Sequence, residues 1–413
     1  MCCPTMLFNL KLALLRLALA AKKPLYRLVQ VPRPVLLVGR GSTARLCELV
    51  GGSGARRVLV VTDAVLVRIG LVDPVRRGLE ARGVEVAVFD GILPDPTRTI
   101  LEQGAAAART HRADAIVALG GGSSIDAAKV IAAMVTTGKS AGQLVGLMKV
   151  SKPPLPLYAI PTTAGTGSEV TVVAVVTDPE RHVKEVVVEP KLVPVAAALD
   201  PEMMKGMPPP ITAATGMDAL THAVEAYLSR WPVEDTAMLC TSAVRLVFAN
   251  LPRACAQGDD LEARESMALA SLYAGLAFTR AAVGYVHAFA HKLGGMYGVP
   301  HGLANAIVLP RVLDHAKSDP WAERRLADLA IAIGAGDAGE PAATLAARFV
   351  ERVRALNREI GIPAHVEKLR REDVAEIARA ALTEGAREYP VPRRMDLADA
   401  ESLLASCLPV TPG

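Results

Sequence analysis

No CxxC pair occurs in this chain of 413 residues, and its six cysteines (Cys2, Cys3, Cys47, Cys240, Cys255 and Cys407) are scattered. That excludes a dense disulfide framework and suits free thiols in a reducing compartment, so a cytoplasmic location is expected. A basic block is also missing from the body of the chain. The net charge of +4 is small for this length, which gives nucleic-acid binding no support. Repeats and low-complexity tracts are absent, and no acid occurs before Glu48.

What is present describes a globular protein: 51% hydrophobic and 21% charged residues, in a chain too long for one ordinary core, so two domains are expected. Residues 6–20 are apolar, interrupted by Lys11 and Arg16. As a signal peptide the segment lacks a basic region upstream, and as a membrane span it is too short and carries two cations. A basic amphipathic helix remains, forming an extension over residues 1–33. It is expected to dock on the protein, with contact to a partner or an anionic membrane surface as the alternatives.

From about residue 34 strands and helices alternate. Val35–Val38, Val58–Thr62, Val84–Phe89, Ala115–Leu119, Leu155–Ile160, Val170–Thr177 and Val183–Val188 read as strands. Helical stretches lie between the earlier ones, near 72–82 and 98–110. This pattern predicts a mostly parallel, doubly wound α/β domain over residues 34–207. After Pro208-Pro209-Pro210 the β-branched runs largely disappear. Helix-period windows such as 236–250, 261–278 and 342–360 predict an all-helical domain over 208–413.

Two polar, glycine-bearing segments follow apolar strands: Gly120-Gly-Gly-Ser-Ser-Ile-Asp126 and Pro161-Thr-Thr-Ala-Gly-Thr-Gly-Ser-Glu169. Glycines permit close approach to a pyrophosphate, and a helix N-terminus aims N–H groups at the anion. The bland alternative for the first is a tight turn capped by Ser123 or Ser124. Two such loops at strand ends fit ligand binding at the carboxyl edge of an open sheet. Asp63, also at a strand end, could accept hydrogen bonds from an adenosine ribose. Its charge would repel a 2′-phosphate, favouring NAD over NADP. Its alternative is a helix N-cap.

Four of eight histidines fall between residues 222 and 301. Asp218 and His222 are four apart and share a helix face. His287, His291 and His301 follow. Each has a structural alternative: Thr215-x-x-Asp218 as a capping box, His222 with Glu225 in a surface network, His287 and His291 as half-buried imidazoles, His301 as a loop residue. Taken jointly, nitrogen and oxygen donors so placed suit Fe²⁺, Zn²⁺, Co²⁺ or Ni²⁺ rather than Mg²⁺ or Ca²⁺. Spacing does not choose between His287 and His291.

These two loops, with Gly216-Met-Asp-Ala-Leu-Thr-His-Ala-Val-Glu-Ala-Tyr227 and Gly284-Tyr-Val-His-Ala-Phe-Ala-His291 through Pro300-His-Gly302, resemble the iron-containing alcohol dehydrogenase family in order and spacing. The similarity covers about residues 34–413. It implies a nucleotide-binding α/β domain before an all-helical metal domain, the dehydroquinate synthase-like architecture, with the active site in the cleft between. It further implies Asp218, His222, His287 and His301 as metal ligands. His291 becomes the non-ligating histidine near substrate and nicotinamide, and Asp63 the ribose-binding acid. Gly121, Gly122, Ser123, Thr162, Thr163 and Thr166 become phosphate and ribose contacts, with Thr171 and Lys184 as further cofactor contacts. A homodimer or larger homo-oligomer is also implied.

Three departures stand out: Thr279-Arg280 for a common Ser-Asn, Pro94-Asp95-Pro96 for Pro-Asn-Pro, and Val391-Pro392-Arg393 for Asn-Pro-Arg. The expected function is reversible, metal-assisted oxidation of a small alcohol by NAD, with Fe²⁺ implied by the resemblance and Zn²⁺ permitted by the ligands. The nearest rival is an NAD- and metal-using sugar-phosphate lyase or cyclase of the dehydroquinate synthase type, which would need several cations for a substrate phosphate. Arg280, Lys292 and Arg311 are the available set. A metal-dependent hydrolase is a second rival, which would leave Asp63 and the two loops idle, and a non-catalytic metal- or nucleotide-binding protein is a third.

Overall fold

In the computed structural model, which describes residues 4–28, 31–178, 180, 183–231 and 235–409, the β-branched runs of the first half become strands. Cys2 and Cys3 lie outside the described residues. The strands are β1 Val35–Val38, β2 Arg57–Val61, β3 Glu85–Phe89, β4 Ala115–Gly120, β5 Gly146–Leu147, β6 Leu157–Pro161, β7 Val173–Asp178, β8 Val183–Val188 and β9 Ala196–Leu199. The helices are α1 Pro4–Leu28, α2 Ser42–Gly52, α3 Ala64–Arg68, α4 Val72–Glu80, α5 Arg98–His111, α6 Gly122–Thr137, α7 Ala141–Leu144, α8 Pro209–Leu228 and α9 Thr236–Ala256. They continue with α10 Leu261–Ala281, α11 Tyr285–Tyr297, α12 His301–Ala316, α13 Pro320–Ala332, α14 Ala342–Glu359, α15 Val374–Glu388 and α16 Leu397–Ala405.

The chain divides into two compact units. The α/β unit holds Gln30–Met207 with Gln257–Gly275. Its main sheet has the order β1-β9-β6-β4-β2-β3, every neighbouring pair parallel. Leu59 and Val61 join a core with Ile116, Ala118, Ile131 and Leu101, on the side of α5 and α6. Val58 and Val60 join another with Val117, Leu46, Val75 and Leu79, on the side of α2 and α4. Alternate residues thus feed opposite cores, which is why these strands read as unbroken apolar runs. Strand order reverses between β2 and β4, the kind of switch point where open α/β sheets bind ligands.

Strands β7 and β8 do not extend the parallel sheet. They pair antiparallel, with β5 beside β8, in a separate three-stranded sheet. Strand β9, between β1 and β6, is three alanines and a leucine and carried no β-branched signal.

The helical unit holds Met1–Val29, Pro208–Ala256 and Leu276–Gly413. Helix α1 belongs to it and packs on α15, with Leu12 and Leu19 buried and the Phe8 ring 5.3 Å from the Arg379 guanidinium. Among the described residues no single helix is long and apolar enough to cross a membrane.

Candidate metal centre and nucleotide loops

Pro209 lies in the first turn of α8, where a missing N–H costs nothing. Thr215 is therefore interior to the helix. Its Oγ1 donates to the Ile211 carbonyl at 2.9 Å, so the capping-box alternative falls away. Every residue from Gly216 to Leu228 is buried, which turns Asp218 and His222 into the helical unit rather than to solvent. Helix α12 starts at His301, and Gly302 seats that end directly on α8. A Cβ there would stand 2.2 Å from the Ala214 carbonyl oxygen.

These contacts converge four donors. Asp218, His222, His287 and His301 each offer a ligand atom, all within 4.8 Å of one another. Asp218 Oδ1 lies 3.5 Å from His301 Nε2 and 3.9 Å from both His287 Nε2 and His222 Nδ1. A tetrahedral ion with bonds of about 2.1 Å needs ligand atoms about 3.4 Å apart, so the set stands close to a coordinating arrangement. His222 Nδ1 is buried without a hydrogen-bond partner, an orphan that a cation would satisfy. The His222 ring is clamped between Phe278 at 4.2 Å and His287 at 4.5 Å. Burial, then repulsion from His222 and His291, holds the His287 imidazole well below its usual pKa. That direction favours the neutral ring, the form a ligand needs.

Two supporting residues escaped the sequence reading. Asn305 is fully buried one turn after His301. Its Nδ2 donates to Asp218 Oδ1 at 2.7 Å and lies 3.2 Å and 3.3 Å from the Nε2 atoms of His301 and His287. Glu225, read as part of a surface network, is buried. It accepts from the amides of Gly284 at 2.8 Å and Val286 at 2.7 Å, and from His287 Nδ1 at 2.6 Å. Burial pushes its carboxyl up to about 7, with the two amides pulling the other way. Such a carboxylate fixes the imidazole tautomer and aims Nε2 at the site. Glu225→Gln would point an amide NH₂ at one of these donors. It is expected to weaken metal affinity about 10–100-fold, measured by competition with a chelator.

His291, one turn beyond His287, stands outside the four-donor group. Its Nδ1 donates to Glu384 Oε1 at 2.6 Å, and its ring stacks on His301 at 5.4 Å. Burial alone would raise Glu384, but the hydrogen bond and charge of His291, with Lys292 at 2.6 Å, bring it down to about 2. Tyr389 also donates to Glu384 at 2.8 Å.

In the α/β unit, Asp63, Gly120 and Thr162 mark the carboxyl ends of β2, β4 and β6. Asp63 caps α3, its Oδ1 accepting from the amides of Val65 at 2.9 Å and Leu66 at 3.1 Å, so the N-cap alternative describes one of its oxygens. No side chain caps α6, which removes the Ser123 or Ser124 cap as the reason for that loop. The two loops pack together: a Cβ on Gly121 would meet the Thr163 side chain at 3.2 Å, and one on Gly122 the Thr166 side chain at 2.6 Å. Ser123 enters the first turn of α6 beside them. Thr171 is different. It is buried, and its hydroxyl and carbonyl both accept from the fully buried Lys129 ammonium, at 3.0 Å and 2.9 Å. Lys184 pairs with Asp95 at 2.7 Å. Asp95 adopts the left-handed conformation, φ 55°, which Asn and Asp tolerate best. One departure and one expected cofactor contact are thus the same ion pair.

The cations that a sugar-phosphate enzyme would need are committed elsewhere. Arg280 lies 3.5 Å from Asp235, Lys292 holds Glu384, and Arg311 donates to Ser406 and to the Ala364 carbonyl. Arg393, in the third departure, donates to the His315 carbonyl at 2.8 Å.

Comparison with known proteins agrees with this geometry. Residues 33–201 match the model of the iron-containing alcohol dehydrogenases, and residues 212–408 that of the C-terminal part of the Fe-containing alcohol dehydrogenase family. The chain is 41% identical over 333 residues to alcohol dehydrogenase 4 of Schizosaccharomyces pombe, covering 81% of this chain and 78% of that protein. It is 37% identical over 353 residues to the NAD-dependent methanol dehydrogenase of Bacillus methanolicus, covering 84% and 91%. The crystal structure of 1,3-propanediol oxidoreductase aligns with a TM-score of 0.88 at 37% identity, over 92% of this chain and all (100%) of that one. Fold and donor set define a metal-dependent, NAD-linked oxidoreductase acting on CH–OH groups. The chain belongs to the iron-containing alcohol dehydrogenase family.

Proposed function

We propose that this chain is an Fe²⁺-dependent dehydrogenase of small primary or secondary alcohols, running in reverse as an aldehyde reductase with NADH. The convergence of Asp218, His222, His287 and His301 carries the proposal, and the similarity to a methanol dehydrogenase and to a 1,3-propanediol oxidoreductase supports small alcohols. Iron is taken from the family; a nitrogen–oxygen set also suits Zn²⁺. Residues 34–207 serve as the NAD-binding domain and 208–413 as the metal-binding, catalytic domain.

Asp218, His222, His287 and His301 would hold a divalent ion, which would supply Lewis-acid polarisation of the alcohol or carbonyl oxygen. The other roles fall to the chain itself. Glu384, kept ionised by His291 and Lys292, accepts a hydrogen bond from His291 Nδ1 and so orients the ring. His291 Nε2 is then the ring atom left to exchange the proton an alcohol must lose. Asp63, Gly121, Gly122, Ser123, Thr162, Thr163 and Thr166 bind the dinucleotide, with Thr171 and Lys184 shaping its site. Hydride exchange is the nicotinamide's own chemistry, and the protein contributes position.

A cytoplasmic homodimer or larger homo-oligomer completes the proposal. Burial raises the Cys47 and Cys240 thiols to about 11 and about 12, inert behaviour that suits a reducing compartment. Oligomerisation rests on the family resemblance.

The test is a panel of alcohols and aldehydes with both nicotinamide cofactors, on anaerobically prepared protein whose metal content is measured. Iron content tracking NAD-linked turnover is expected; zinc without iron in active protein would refute the choice of metal. Asp63→Ser keeps a helix cap and removes the charge. It is expected to narrow the preference for NAD over NADP by roughly tenfold, read as the ratio of kcat/KM values.

A further inference from the structure

Helix α1 has two apolar faces, and α15 uses only one. Phe8, Leu12, Leu15 and Leu19, spaced four, three and four, form the side set against the helical unit, with Leu12 and Leu19 buried and Phe8 and Leu15 partly so. Met6, Leu7, Leu10, Leu14 and Leu17 form the opposite side and are 65%, 55%, 57%, 60% and 70% exposed. At about 100° per residue, these five make one continuous stripe along the helix.

Cations border the stripe on both sides: Lys11 and Lys22 along one edge, Arg16 and Lys23 along the other. Lys22 lies 3.9 Å from Glu388 of α15. No Asp or Glu occurs anywhere before Glu48. A contiguous exposed apolar stripe on a water-facing helix marks an interaction site. Charge selects the partner. A second copy of α1 laid on this face would set Lys and Arg against Lys and Arg, with no acid on either helix to pair them. A bilayer bearing anionic headgroups satisfies both edges, while its acyl boundary receives the leucines between them. A span is excluded by the cations and by the packing of the other face on α15.

We infer that α1 is an in-plane docking helix that holds this enzyme on an anionic phospholipid surface. Its inner face rivets it to the helical unit and its outer face enters the headgroup boundary. The full chain, mixed with phosphatidylcholine vesicles with and without phosphatidylglycerol, is expected to co-sediment only with the anionic ones and to be released by salt. The triple variant Leu10→Asp, Leu14→Asp, Leu17→Asp changes solvent-facing residues alone. It is expected to lose vesicle binding by at least about tenfold per leucine while alcohol oxidation and unfolding temperature stay as in the parent. Failure of the folded parent to bind anionic vesicles would overturn the inference, as would equal binding to neutral ones. So would a parent oligomer, seen by analytical ultracentrifugation, that the triple variant dissociates: the stripe would then be covered by another copy.

Discussion

Asp218→Ala is expected to strip the metal and lower turnover by about 10³-fold or more, because a Lewis acid supplies several kcal/mol of transition-state stabilisation. Asp218 Oδ1 is the common neighbour of the three imidazole nitrogens and the only anion among the four donors. Without it, Asn305 Nδ2 also loses its 2.7 Å acceptor, and the amide is freed to swing toward His287 and His301. Metal analysis and kcat/KM on one preparation check this. A variant that retains activity without metal would remove the basis of the proposed chemistry, whereas NAD binding should survive, since the loops belong to the other unit.

Lys129→Met is expected to destabilise the α/β unit by about 3–5 kcal/mol, lowering the unfolding temperature by roughly 6–20 °C. The ammonium is fully buried and donates to Ser168 Oγ, Thr171 O, Thr171 Oγ1 and Val173 O at 3.0, 2.9, 3.0 and 2.8 Å. Asp126 stands 3.9 Å away and itself accepts from Ser168 and from the Val175 amide at 2.9 Å. Methionine fills the volume but takes the ammonium donor from the Thr171 and Val173 carbonyls and the neighbouring cation from Asp126. The loop from Thr162 to Thr171 loosens with them, so KM for NAD should rise together with the loss of stability. Burial holds the ammonium at about 8, below its usual 10.5, against the attraction of Asp126 and Glu169. Between those two pH values the unfolded chain carries more protons, so the contribution of Lys129 to stability rises with pH. That rise should be missing from the methionine variant in thermal scans across the alkaline range. A variant as stable as the parent would show the network to be dispensable.

Much of this was legible before the fold. Asp218 and His222 declare themselves by a spacing of four on one helix, and the continuous runs at 58–61 and 115–119 announce strands covered on both sides. What was not legible had weak local signal. Strand β9 is alanine-rich and exists because β1 and β6 flank it. Residues 173–178 and 183–188 are rich in valine, a strand signal, but that composition does not say which sheet or which direction. His287 and His291 lie on one face at equal hydropathy, and only their partners, Glu225 for one and Glu384 for the other, tell them apart. Glu225, Asn305 and Lys129 are polar residues in helical contexts where solvent exposure is the default; their burial is a tertiary fact.

Gly302 sets a boundary on how this enzyme can change. Backbone presses on backbone where α12 meets α8, and any larger residue would lever His301 away from Asp218. The position of His301 against Asp218 thus depends on residue 302 having no side chain, so the grip on the ion is anchored on a single hydrogen atom.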